Sequence, residues 1–264
     1  MLPTLLHIGP VTLSSFGVLA ALALLVGTFL IWQHARNHAI SDDKIFDNVI
    51  VVVASSVIGA RIGFVITHVS LFTPNWLRTF LLWSYPGFSV WGGLVLGGVS
   101  FWFYSHKQKL VKAIMFDAYG MALPLSVMLM SLATLLDGIV VGKRTSWPIG
   151  VMYPGFTQAR HPVGLYGFVL FLIYFAALLV VKPKIPDKLS GIIGWTSLAY
   201  FGLVLLVLAI FRNDLLYWEG LPVDIILAGM VFVVSGIFSI MKIHGQNLKL
   251  ATNWWMRFKQ YVET

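Results

Sequence analysis

Residues 137–166 read DGIVVGKRTSWPIGVMYPGFTQARHPVGLY, the one place where a long apolar chain breaks into glycine, proline, charged and aromatic residues. Asp137 stands at the end of one apolar run, and His161-Pro162 opens the next. The flanking runs are what this stretch interrupts, and they decide the fold class. Hydrophobic residues make up 58% of the chain and charged residues 11%, against about 25% charged in an ordinary soluble domain. A soluble core of this size cannot hide so much apolar surface, whereas a bilayer accepts it. The expected fold is therefore an all-α polytopic integral membrane protein, one transmembrane domain over residues 1–264.

Apolar runs long enough to cross a bilayer fall near 11–33, 46–68, 88–105, 113–136, 162–181, 190–211 and 221–241, which predicts seven transmembrane helices. The first run lacks a basic leader and is too long for a signal-peptide core, so it is expected to be retained. An odd number of spans puts the termini on opposite sides. With the N-terminus outside and the C-terminus cytoplasmic, twelve Lys and Arg residues lie inside and five outside, with Arg61 in a span, accounting for all 18. The positive-inside rule selects that orientation. The formal charge of +8 is spread through loops, which suits anionic lipid headgroups and not nucleic acid.

Two segments depart from a simple serpentine. Residues 71–87 are too short and too proline-bounded to span, and Trp76, Phe80, Trp83 and Tyr85 predict an arm at the outer interface. The tail 242–264, with NWWMRFKQY from Asn253, predicts an amphipathic cytoplasmic anchor. Residues 143–160 form an outer-surface insert. Glycines spaced as GxxxG at Gly59/Gly63, Gly93/Gly97 and Gly138/Gly142 suit close helix packing.

Polar groups at bilayer depth need a partner or a function. Arg61, deep in the second span, suits a phosphate or carboxylate ligand; a structural ion pair, with Asp137 as one partner, is the alternative. His161 can carry a proton or simply cap and hydrogen-bond at the membrane boundary. The chain has no cysteine, so it has no thiol nucleophile, disulfide or cysteine-ligated metal. No nucleotide-binding loop, zincin motif or serine hydrolase elbow is present.

An ordered set of short motifs adds to this reading. They are Ile8-Gly9-Pro10-Val11-Thr12-Leu13 leading to Phe16-Gly17, Gly59-Ala60-Arg61-Ile62-Gly63, and Trp91-Gly92-Gly93-Leu94. Asp137-Gly138 with Gly142, Met152-Tyr153-Pro154-Gly155, and His161-Pro162 with Leu165-Tyr166 come next. Ser190-Gly191 and Phe211-Arg212 complete the series. In order and spacing the set resembles the bacterial prolipoprotein diacylglyceryl transferase family over nearly the whole chain. The resemblance implies seven helices with the N-terminus outside, and transfer of the diacylglyceryl group of phosphatidylglycerol to a prolipoprotein's lipobox cysteine, in lipoprotein biosynthesis. It implies a bacterial plasma (inner) membrane location with the site facing the outer leaflet, and no metal or organic cofactor. The implied partners are phosphatidylglycerol or another anionic phospholipid, the prolipoprotein signal peptide and the membrane.

On this resemblance, Asp137 and His161 are the candidate catalytic residues, and Arg61, Gly92, Gly93, Gly138, Tyr166 and Arg212 the candidate substrate-binding residues. Several family positions carry other residues here. Trp91 stands for a histidine, Ser131 for an arginine, Thr134 and Asp137 for asparagines, and Ile139 and Gly167 for glutamates. Phe16 replaces a tyrosine, Leu205 or Leu206 an arginine, and Ala209 a glutamate. The other function open on this scaffold is non-catalytic binding of a lipid or lipoprotein.

Overall fold

A computed structural model describes the backbone of residues 2, 4–8, 11–73, 75–82, 84–218 and 220–262; side chains at 6–8, 11, 187 and 246–262 are not described. The expected N-terminal residues Gly9 and Pro10 and the arm residue Trp83 lie outside these, as do the tail's side chains from Asn253 onward. The chain divides into two compact units, one of residues 1–34 and 116–264, the other of residues 35–115.

Among the described residues, six helices are long and apolar enough to cross a membrane, and the chain is a helical polytopic membrane protein. In the larger unit, strands β1 (Thr4–Ile8) and β2 (Val11–Ser14) pair antiparallel before α1 (Ser15–Arg36) begins. The expected span started at residue 11. The helix starts later because Ser14 Oγ accepts from the Gly17 amide at 3.0 Å, in the manner of a helix N-cap. Leu2 N donates to Leu136 O at 3.0 Å, anchoring the hairpin on the end of a later helix.

The smaller unit holds α2 (Asp42–Thr67), the short α3 (Val69–Phe72) and α4 (Val90–Lys107). Asp42 and Asp43 in the first turn of α2 favour its positive N-terminal end, so the helix begins before the apolar run does. α4 matches the expected third span, but its 18 residues end in Tyr-Ser-His-Lys and it is not among the six. α2 and α4 approach through backbone contact: a Cβ on Gly92 would lie 2.2 Å from Gly59 O, and one on Gly59 2.5 Å from Gly92 O. At the other end of this seam, the fully buried Asn48 donates to Ser105 Oγ at 3.1 Å.

Between α2 and α4, residues 71–87 fold as an arm with a 3₁₀ turn, Trp76–Phe80, capped by Asn75 Oδ1 accepting from Leu77 N at 3.0 Å. Trp76, Leu77 and Phe80 are exposed on it.

The larger unit continues with α5 (Lys112–Asp137), α6 (Val163–Val181), α7 (Ile192–Phe211) and α8 (Val223–Val262), whose apolar part is Val223–Gly245. A two-stranded ribbon, β3 (Tyr217–Trp218) with β4 (Leu221–Pro222), precedes α8. Met121, Leu178, Ile192 and Ile193 form a buried core between α5, α6 and α7. The start of α7 is fixed by charge. Buried Asp117 accepts from Gly191 N and, at 2.9 Å, from Gly194 N, satisfying amides that the first helical turn cannot. Lys242 donates to Ser190 O beside it.

Candidate functional site

The broken stretch of residues 137–166 becomes a backbone braid at the ends of α5, α6 and α7. Gly138 ends α5 in the left-handed region, φ 73°, with its amide on Thr134 O at 3.0 Å, a helix-terminating conformation that glycine adopts without strain. The segment after it runs between two others. Lys143 N donates to Phe211 O at 2.7 Å, and His161 N donates to Lys143 O at 3.0 Å. Gly142 pairs with Arg212, and a Cβ there would lie 2.3 Å from His161 O, so only glycine lets the strands meet.

This braid brings His161, Tyr166 and Arg212 into one cluster. His161 sits just before Pro162, the residue preceding α6, and Tyr166 lies one turn into that helix. Their side chains meet, His161 Nδ1 to Tyr166 Oη at 2.9 Å. Residues five apart point to different parts of a regular helix face. Here the tight turn at Pro162, with Val163 N donating to His161 O at 3.0 Å, turns the imidazole back over the first helical turn. Phe211 packs on both rings, at 5.0 Å from His161 and 5.3 Å from Tyr166, and Trp147 stands edge-on to His161 at 5.5 Å. An imidazole boxed in this way has one nitrogen committed and a fixed orientation.

The next residue after Phe211 is Arg212, whose charge is shared between two carboxylates. Its Nε lies 3.0 Å from Asp214 Oδ1 and its Nη2 3.6 Å from Asp224 Oδ2. Asp224 also accepts from Leu216 N at 3.1 Å, tying the β3–β4 ribbon to the pair. Lys143 Nζ reaches Ile210 O at 2.7 Å. Asp137 is half-buried at the end of α5. The facing helices are tightly packed here: a Cβ on Gly167 would lie 2.8 Å from Ser131 Oγ, and one on Gly164 2.6 Å from Ser131 O.

Arg61, Gly92 and Gly93 fall in the smaller unit. Buried Arg61 donates from Nε to Thr79 O at 2.9 Å and from Nη1 to Tyr85 O at 2.8 Å and Gly87 O at 3.0 Å. Its guanidinium lies over Phe64 and Phe72. The partners found within this unit are carbonyl oxygens of the arm, an arrangement that satisfies a charged group at depth without a carboxylate. Gly92 and Gly93 lie on the α2–α4 seam, Gly93 with a would-be Cβ 3.3 Å from Ser56 O.

Sequence reasoning did not single out Trp147, Phe211, Asp214 or the buried Tyr153 and Arg160 as site residues. Phe211 adjoins Arg212 and Arg160 adjoins His161, so adjacency was the available signal. The carboxylate pairing of Arg212 depends on a turn that no periodicity announces.

The comparisons converge on one family. The family model described as prolipoprotein diacylglyceryl transferase matches residues 3–241. A phosphatidylglycerol–prolipoprotein diacylglyceryl transferase of Geobacter sulfurreducens is 27% identical over 223 residues, covering 80% of this chain and 82% of its own. One from Streptococcus equi subsp. zooepidemicus is 25% identical over 250 residues, covering 92% and 96%. Another, from Desulfotalea psychrophila, is 27% identical over 225 residues, covering 80% of each. With a helical membrane fold and a match along nearly its whole length, this chain, a multi-pass protein of the bacterial inner membrane, belongs to the prolipoprotein diacylglyceryl transferase family.

Proposed function

We propose that the chain transfers the diacylglyceryl group of phosphatidylglycerol to the lipobox cysteine of a prolipoprotein at the outer leaflet. The reaction forms a carbon–sulfur bond at the glycerol carbon and breaks that carbon's bond to the phosphate oxygen. The thiol proton must go to a base, and glycerol phosphate leaves with the electron pair. The observation that carries the reading is the His161–Tyr166 hydrogen bond of 2.9 Å beside Arg212. In the tautomer whose Nδ1–H donates to the Tyr166 phenol oxygen, Nε2 carries the free lone pair that takes the proton. Asp137 is the second candidate for that proton. Arg212 is the cation for the departing phosphate, a fixed charge that stabilises the negative charge growing on the leaving group. Gly138 turns the chain out of α5, Gly142 lets the backbone approach, and Arg61, Gly92 and Gly93 support the arm and the α2–α4 seam.

A specific observation favours non-catalytic binding of a lipid or lipoprotein as the second reading. Arg212 already faces Asp214 and Asp224, and Ser131 and Gly167 pack together, at positions where the resemblance implies charged residues in the family. Lost electrostatic groups of this kind commonly cost about 3 kcal/mol each in the transition state.

Complementation separates the two. In cells depleted of their own transferase, rescue by this chain and loss of rescue in His161→Ala support transfer. Failure to rescue by a well-expressed, membrane-inserted protein overturns it and leaves the binding reading.

A further inference from the structure

The insert of residues 143–160 contains two buried polar atoms that the proposed reaction does not use. Among the described residues, Tyr153 Oη and Arg160 Nε have no hydrogen-bond partner, although Tyr153 is 3% and Arg160 9% exposed. Buried polar groups are nearly always satisfied, and each one left unmade is a cost that folding alone does not explain.

Both belong to the fold of the insert and not to a loose tip. Arg160 exchanges backbone hydrogen bonds with Val151, both at 3.0 Å, and pairs with Arg144. Its Nη1 donates to Gly142 O at 3.1 Å, and its guanidinium lies 3.9 Å over the Phe156 ring. A turn from Tyr153 O to Phe156 N, 3.1 Å, brings that ring under the cation, so Tyr153 and Arg160 share one fold of chain. Gly142, the anchor of Arg160, is the residue packed on His161. Burial holds the Tyr153 phenol above its ordinary range, with the nearby Tyr166 phenol adding to this, so the hydroxyl keeps its proton and remains a donor.

We propose that Tyr153 and Arg160 are headgroup-recognition residues, donating from Oη and Nε to phosphate oxygens of an anionic phospholipid that enters as the insert parts. The assignment rests on the lipid-binding element of the proposed function. A guanidinium already fixed on one edge by Gly142 O and on one face by Phe156 is preorganised, so little freedom is lost when its remaining donor meets an anion.

The test uses the full chain in neutral detergent, titrated with short-chain phosphatidylglycerol, short-chain phosphatidylcholine and inorganic phosphate, with thermal unfolding recorded for each variant. Tyr153→Phe keeps the ring and removes only the orphaned hydroxyl. If the hydroxyl is a mere packing defect, that variant unfolds at the same or a higher temperature and binds lipid like wild type, which overturns the proposal. The expected result is unchanged or higher stability with phosphatidylglycerol affinity reduced about tenfold, the usual consequence of losing one hydrogen bond to a charged group. Arg160→Lys is expected to lower it similarly. Wild-type binding of phosphatidylglycerol with both variants unaffected overturns the residue assignment alone. Absence of any wild-type binding overturns the lipid reading beneath it. Displacement of the lipid by equimolar inorganic phosphate overturns a lipid site in favour of one for free phosphate.

Discussion

Tyr166 Oη lies 2.9 Å from His161 Nδ1, and Phe211 packs against both rings. One hydrogen bond therefore sets which imidazole nitrogen faces a substrate. Tyr166→Phe leaves the ring stack and frees Nδ1, so the histidine loses the hydrogen bond that holds its ring orientation. Transfer of label from phosphatidylglycerol to a lipobox peptide should fall about five- to tenfold, the worth of one such bond. His161→Ala should fall by about a hundredfold or more, as expected for removal of a proton acceptor. Wild-type rates in both variants would remove the pair from the chemistry.

The α2–α4 seam offers a matched pair of glycines. Gly92 meets Gly59 backbone, whereas a Cβ on Gly98 would touch nothing within 4 Å. Gly92→Ala should lower stability by about 1–3 kcal/mol, the range for overpacking a close contact. Gly98→Ala should leave it unchanged or slightly raised, since alanine is the better helix former. Thermal unfolding of the full chain in detergent reads both, and equal effects would show that the seam is looser than its geometry.

The helices were legible because a bilayer forces long uninterrupted apolar runs, and each expected run became a helix, the first starting at Ser15 and the last running on to Val262. The shifts at their starts come from side chains that periodicity ignores, such as Ser14 accepting from Gly17 N. The N-terminal hairpin was missed because its second strand sits at the head of an apolar run, where helix and strand look alike. At the site, the motif order identified the residues, but the company they keep follows from the braid around Gly142 and Lys143. Arg61 illustrates the limit: its depth signalled a need for partners, and those within its unit are carbonyl oxygens of residues 79–87.

That same residue predicts the behaviour of the arm. Lysine has one compact ammonium and cannot reproduce a fork spread across Thr79, Tyr85 and Gly87. Arg61→Lys and Arg61→Ala should both loosen residues 73–87 and speed their cleavage by a protease added to proteoliposomes, with the alanine variant faster. Unchanged cleavage would mean that the arm is held by its aromatic packing alone.

Asp117 gives a test at the start of α7. Its carboxylate serves two amides and lies near Lys242, so Asp117→Asn removes both an acceptor and a charge from a buried position. Breaking such a buried arrangement costs about 3 kcal/mol or more. The thermal unfolding midpoint should drop clearly, and Lys242→Met in the same background should recover part of the loss by removing the cation left without its carboxylate. A neutral Asp117→Asn would show that the Gly191 and Gly194 amides find other acceptors.

Arg212 is held in competition. Its side chain is 23% exposed and its partner Asp214 43%, so this ion pair is wet and weak, worth about 0.2–1 kcal/mol. The Asp224 contact is longer, at 3.6 Å, but more enclosed, and Asp224 is also fixed by Leu216 N. Asp214→Asn should therefore leave Arg212 in place while removing one negative charge that an incoming phosphate must displace. Affinity for short-chain phosphatidylglycerol should rise about two- to fivefold at low salt, and the gain should shrink as ionic strength screens it. Asp224→Asn should behave differently, loosening the β3–β4 ribbon and lowering affinity despite the added positive charge. Reduced affinity in Asp214→Asn, with the fold intact, would show that Asp214 positions the guanidinium and does not compete for it.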